Sequence, residues 1–229
     1  MRIRLNLKIF IFMAIFIFTK QIKIYGLLML FAFIHEFGHM IAGIILGFRP
    51  YSLEIMPAGI SISFKVKEEN YNKKVKNATV LTLKKIIIAA NGPLTNIILI
   101  MLFILKKFNL EDSLRELIVY SNIIIAIFNL LPIYPLDGGR ILKGILYIFY
   151  GRRNSYIYIN KISNLCVIIL TAMCSIVILF FRNVAILLTL TYLWYLVINE
   201  NKKFKSKEQI YIKLSEISNE KKQVIKVAR

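Results

Sequence analysis

This chain of 229 residues holds little of what most often carries chemistry: two histidines, two cysteines and 12 acidic residues. The cysteines, Cys166 and Cys174, lie in one apolar run. Eight residues apart on a helix is roughly 12 Å, too far for a disulfide within it. They are expected to serve as small packing groups. A cleavable leader is also missing. Met1-Arg-Ile-Arg4 opens like one, but no small-x-small cleavage site follows the first apolar run, which is therefore expected to stay as a span.

Apolar residues are abundant. The chain is 58% hydrophobic with a mean hydropathy of +0.65, a membrane-protein composition. Single apolar runs are long enough for a helical bundle rather than a barrel, since a spanning helix needs about 20 such residues. Six spans are predicted, near 5–19, 25–46, 86–105, 117–136, 162–181 and 183–198, with Arg182 and Asn183 forming a tight hairpin between the last two. The expected fold is all-α, six transmembrane helices, over residues 1–198. A short basic tail follows at 199–229. The segment Gly59-Ile-Ser-Ile-Ser-Phe-Lys-Val66 alternates apolar and polar residues, so a small membrane-associated hairpin or sheet is expected between helices two and three.

Net charge is +19, from 31 Lys and Arg. Nucleic-acid binding is one reason for such an excess, but the distribution points elsewhere. The two termini and the second and fourth loops hold 25 of the basic residues, and the other three loops hold six. This is the positive-inside pattern, which places both termini in the cytoplasm and makes the lipid bilayer the partner. Lys202, Lys203, Lys205 and Lys207 can lie against anionic headgroups.

Both histidines belong to one motif, His35-Glu36-Phe37-Gly38-His39, inside the second span. H-E-x-x-H on a helix puts two imidazoles on one face for zinc, with the Glu placed as general base. Ionisable groups at membrane depth are costly and mark function. The other reading is a buried polar cluster, which leaves the Glu uncompensated. Catalytic zinc takes three protein ligands, and with both His used the third must be Asp, Glu or Cys. Asp137 stands out, after Asn129-Leu-Leu-Pro-Ile-Tyr-Pro-Leu136 and before two glycines. Irregular backbone in a membrane survives only where it is buried or lines a cavity. Alternatively, Asp137 only turns the chain where span four leaves the bilayer. Spans two and four run the same way. His35 lies roughly 13 Å below the outer end of span two, at nine residues of 1.5 Å each. The three groups can thus converge in the inner half of the membrane. Asn91-Gly92-Pro93-Leu-Thr-Asn96, inside span three, is either a plain kink or part of the site.

The three segments together resemble the site-2 protease family of intramembrane zinc metalloproteases, and most of all its compact sporulation branch. The resemblance covers spans two to four. It implies that His35, His39 and Asp137 hold zinc, that Glu36 activates water, and that Asn129 assists by binding the substrate carbonyl or oxyanion. It gives Asn91, Gly92 and Pro93 a supporting place near the substrate. It further implies a membrane-associated protein substrate, a pro-sigma factor in the forespore-surrounding membrane, and inhibitory membrane partners. Two departures stand out. The longest loop, about 47–85, is under half the length of a PDZ domain, and Asn199–Arg229 is too short for a nucleotide-sensing CBS domain. Other substrates fit the same chemistry: a membrane-anchored anti-sigma factor or a remnant signal peptide. A metal carrier is the competing class, and Glu36 discriminates, because a carrier needs ligands but no base. The free edge of the 59–66 strand could hold an extended substrate by strand addition, or the strand could belong to an ordinary interfacial hairpin.

Overall fold

The computed structural model describes residues 2–5, 10, 17, 22–56, 59–65, 76–105, 110–181 and 184–227. In chain order these form β1 (Arg2–Leu5), α1 (Ile22–Ile45), β2 (Arg49–Met56), β3 (Gly59–Lys65), α2 (Lys76–Ile104), α3 (Asp112–Leu130), α4 (Asp137–Phe181) and α5 (Val184–Val227). Most of the predicted first span, and the Arg182–Asn183 hairpin, fall outside the described residues.

Among the described residues four helices are long and apolar enough to cross a membrane: Ile22–Ile45, Ala78–Ile104, Asp112–Leu130 and Asp137–Ser175. In α1, Phe33, Phe37, Ile41 and Ile44 face outward, while His35, Glu36, His39 and Ala42 are buried. Polar groups inside and apolar groups outside suit a lipid surround. The central helix is α2, which packs against α1, α3 and α4. One apolar cluster joins Phe31 of α1 to Ile118 and Ile125 of α3, with Leu99 and Phe103 of α2 against it. A second joins Ile133 to Val167 of α4 and Val197 of α5, with Cys166 and Trp194 at its edge. Cys166 and Cys174 are both free.

A left-handed turn ends α1. Gly47 has φ 86°, and Phe48 N–H donates to Gly43 O at 2.9 Å, the 6→1 bond of a Schellman motif. Lys84 Nζ also donates to Leu46 O, at 3.0 Å. The chain is thereby aimed straight into β2. The sheet has the order β1-β2-β3. β1 runs parallel to β2 (Arg2 opposite Ser52), and β3 runs antiparallel to it (Leu53 opposite Ile62), with a bulge between Pro50 and Ser52. The predicted strand is therefore present, as an edge strand lying on α1. The sheet has three strands, because residues at the extreme N-terminus add β1.

Several boundaries differ from the sequence reading. Span four was expected over 117–136, but α3 stops at Leu130, and residues 131–136 form an irregular loop. Pro132 and Pro135 lack the donors a helix needs there. The loop is held by Ile133, fully buried, and by Tyr134 N–H donating to Ser163 Oγ at 2.9 Å. Asp137 accordingly opens α4 rather than closing α3. The segment 137–161, expected as a loop, is helical on both sides of Gly151, whose φ of 76° breaks α4. The basic tail is likewise helical, as far as Val227.

Candidate metal centre

Two chain segments bring their three donors together. α1 contributes His35 and His39, one turn apart, and the first turn of α4 contributes Asp137. Gly138 and Gly139 let that turn nest in the loop. A Cβ on either would lie 2.6 Å or less from a backbone oxygen of Leu131 or Ile133. Asp137 Oδ2 lies 3.0 Å from His35 Nε2 and 3.0 Å from His39 Nε2. All three residues are buried, and their donor atoms lie within 4.8 Å of one another.

The other ring nitrogens decide what those donors can do. His39 Nδ1 faces Ile88 O at 2.7 Å, an acceptor only, so Nδ1 carries the hydrogen. His35 Nδ1 faces Asn96 Oδ1 at 2.5 Å. That amide is itself oriented: Asn96 Nδ2 donates to Asn122 Oδ1 at 3.0 Å, and Asn122 Nδ2 donates to Ile118 O at 2.9 Å. The relay starts at a backbone carbonyl, so each amide has one orientation and His35 also carries its hydrogen on Nδ1. With Nδ1 carrying the hydrogen, the Nε2 of each neutral tautomer would be a lone pair aimed at a carboxylate oxygen. Three acceptors in one buried space repel unless a cation sits among them. Tetrahedral ligands at zinc bond lengths stand roughly 3.3 Å apart, close to the 3.0 Å separations found. The donor set fits zinc.

Glu36 stands beside this triangle. One carboxylate oxygen lies 3.6 Å from His39 Nε2. The other accepts the Ile62 backbone N–H at 2.6 Å. Ile62 sits in the edge strand β3, so its N–H points away from β2 and toward α1. Arg140, half exposed one turn along α4, reaches the second Asp137 oxygen at 3.5 Å.

The remaining sequence candidates divide. Gly92 is packed on the ligands: a Cβ there would overlap the His39 ring and lie 2.6 Å from His35 Nε2. Pro93 is buried beside it within an unbroken α2. The Asn91 amide turns away and donates to Ile87 O at 2.7 Å. Asn129 donates to Ile125 O of its own helix at 3.0 Å. Sequence reasoning placed Asn96 in the polar 91–96 segment without a role of its own, and gave none to Asn122. Their one signal was that each is an amide within an apolar run.

Comparison with known proteins bears on the same elements. Residues 107–176 match the model of peptidase family M50, a stretch that contains Asn129 and Asp137. Stage IV sporulation protein FB of Bacillus subtilis is 30% identical over 144 residues, which are 62% of this chain and 46% of that protein. The chain thus spans about half the length of that curated relative. The solved structure of the site-2 protease from Methanocaldococcus jannaschii superposes with a TM-score of 0.64, covering 86% of this chain and 89% of that one at 21% identity. This is the site-2 protease fold. The resemblance read from the three sequence motifs therefore holds in sequence and in fold, and the site-2 protease frame is what brings His35, His39 and Asp137 to one point.

Proposed function

We propose that this protein is an intramembrane zinc metalloprotease that hydrolyses a peptide bond of a membrane-associated protein near the cytoplasmic face. The carrying observation is the convergence of two tautomer-fixed imidazoles and one carboxylate, with a fourth group, Glu36, held beside them but outside the ligand set. His35 Nε2, His39 Nε2 and Asp137 Oδ2 would hold the metal. Zinc held there would supply a Lewis acid for the scissile carbonyl and would lower the pKa of a water so that hydroxide is available. The Glu36 oxygen near His39 is placed to take a proton from water and to pass it to the leaving amine. Ile62 N–H fixes the other oxygen, which keeps the base in place. A substrate helix hides its peptide bonds, so the bond to be cut must be extended. Among the described residues β3 is an edge strand, and the part of its outer edge beyond the Ile62 N–H is suited to hold it.

The finer reading is activation of a membrane-associated pro-sigma factor in sporulation, in the membrane around the forespore, with both termini cytoplasmic. Its support is the likeness to a protein named for stage IV of sporulation, together with the distribution of basic residues. Residues 1–198 are read as the protease domain and 199–229 as a basic extension. The test is co-expression with candidate pro-sigma factors, comparing the intact protein with Glu36→Gln. A shortened product that needs Glu36 supports the proposal. A Glu36→Gln protein with all function kept would make it a metal carrier instead. Cleavage of an anti-sigma factor or a remnant signal peptide, with pro-sigma factors untouched, would keep the protease and move its substrate.

A further inference from the structure

A small solvent-open cleft lies between the 131–136 loop, α4 and α5, and none of the three metal-site donors lines it. Its walls include Tyr134, Lys143, Tyr156, Asn160, Glu200 and Lys203. Lys143 comes from α4 before the Gly151 break, Tyr156 from after it, and Glu200 and Lys203 from α5. Lys143 Nζ sits over two rings at once, 4.1 Å from the centre of Tyr134 and 3.8 Å from that of Tyr156. Aromatic faces hold an ammonium in place without neutralising it. Lys203 is bound to Glu200 at 2.6 Å. Two cations of the cleft wall, Lys143 and Lys203, therefore stand with one carboxylate of that wall, Glu200, and Lys143 is held over two rings.

We infer that this cleft binds a phosphate group, as an anionic phosphate ester, with Lys143 as its pre-positioned cation and Lys203 as the second. Fixing a long side chain beforehand lowers the entropic cost of binding, and an anionic oxygen gains charge-assisted hydrogen bonds from both ammonium groups. Glu200 opposes the ligand and competes for Lys203. The same chemistry can come from a lipid headgroup or from free phosphate. The basic segments at 137–161 and beyond 199 are the ones expected on the anionic inner leaflet. The site does not depend on the protease reading. Tyr134 stands three residues before Asp137, in the loop that leads into α4.

The test is calorimetric titration of the whole protein in neutral detergent with dihexanoyl-phosphatidylglycerol, dihexanoyl-phosphatidylcholine and inorganic phosphate. The phosphatidylglycerol should bind saturably and the zwitterionic lipid should not. Lys143→Met keeps the stem on the two rings and removes the charge, and should weaken binding about tenfold, the size of one charge-assisted hydrogen bond. Glu200→Gln should tighten it. Opposite signs from the two variants separate ligand binding from loss of folding, which would lower both. If inorganic phosphate displaces the lipid, free phosphate is sufficient as the ligand; if it does not, the headgroup is the source. Equal binding of the two lipids, no change in Lys143→Met, or weakening in both variants would overturn the inference.

Discussion

Replacing Asn96 by Ala should loosen zinc without touching a metal ligand. Asn96 is fully buried, and its Oδ1 accepts the His35 Nδ1 hydrogen at 2.5 Å while its Nδ2 donates to Asn122 Oδ1 at 3.0 Å. The substitution leaves that ring hydrogen and the Asn122 oxygen without partners, each at a cost of about 1–3 kcal/mol. His35 is then free to change tautomer or turn. Loss of such an outer partner costs about 10–100-fold in metal affinity or activity. Asn96→Asp separates positioning from packing. It keeps the acceptor for His35 but cannot donate to Asn122, so zinc affinity should return while thermal stability stays low. Asn122→Ala removes only the group that orients Asn96, and should cost less affinity than Asn96→Ala. Competition against a zinc chelator on purified protein measures all three. Wild-type affinity in Asn96→Ala, or Asn96→Asp as weak as Asn96→Ala, would refute the relay.

Other perturbations reach the site from different sides. Gly92→Ala should empty the metal site though residue 92 binds nothing, because the new methyl would occupy the space of the His39 ring; metal analysis of the purified variant checks this. Ile62→Pro removes the N–H that holds Glu36 while sparing the sheet, since proline is tolerated on an edge strand. Cleavage should fall about 10–100-fold, as for a hydrogen bond to a charged group, with zinc content unchanged. A parallel loss of zinc would show that Ile62 supports the ligands rather than the base. Single cysteines at Asn109 and Ser206, in a chain lacking Cys166 and Cys174, test the orientation on intact cells. Asn109 should react with an impermeant thiol reagent and Ser206 should not.

The three residues that converge were more legible in the sequence than the groups that support them, for a physical reason. His35, Glu36 and His39 were legible because charged and metal-binding groups in an apolar run have no cheap structural use. Asp137 was legible for the same reason, though its place was misjudged. The run of apolar residues through Leu136 hides the end of α3, and only the prolines at 132 and 135 mark the loop that lets Asp137 open a new helix. The strand at 59–65 showed through its alternation. Its partner β1 did not, because Arg2–Leu5 is too short for a pattern and pairs with residues some fifty positions away. Asn96 and Asn122 look alike in sequence to Asn91 and Asn129, yet the first pair meets across helices and the second pair bonds back to its own. Such amides can satisfy themselves locally or bridge to a neighbouring helix, and only packing chooses between them.

The central claim is that two imidazoles and one carboxylate hold a single zinc ion, and elemental analysis of purified protein beside Asp137→Asn tests it most directly. The intact chain should carry about one zinc, by the three-ligand logic of catalytic sites. The variant should carry far less, because a neutral amide is a poor ligand for a dication. A residue that merely turned the chain would be replaced well by Asn. Protein that cleaves its substrate without zinc, or an Asp137→Asn chain with its zinc intact, would contradict the account.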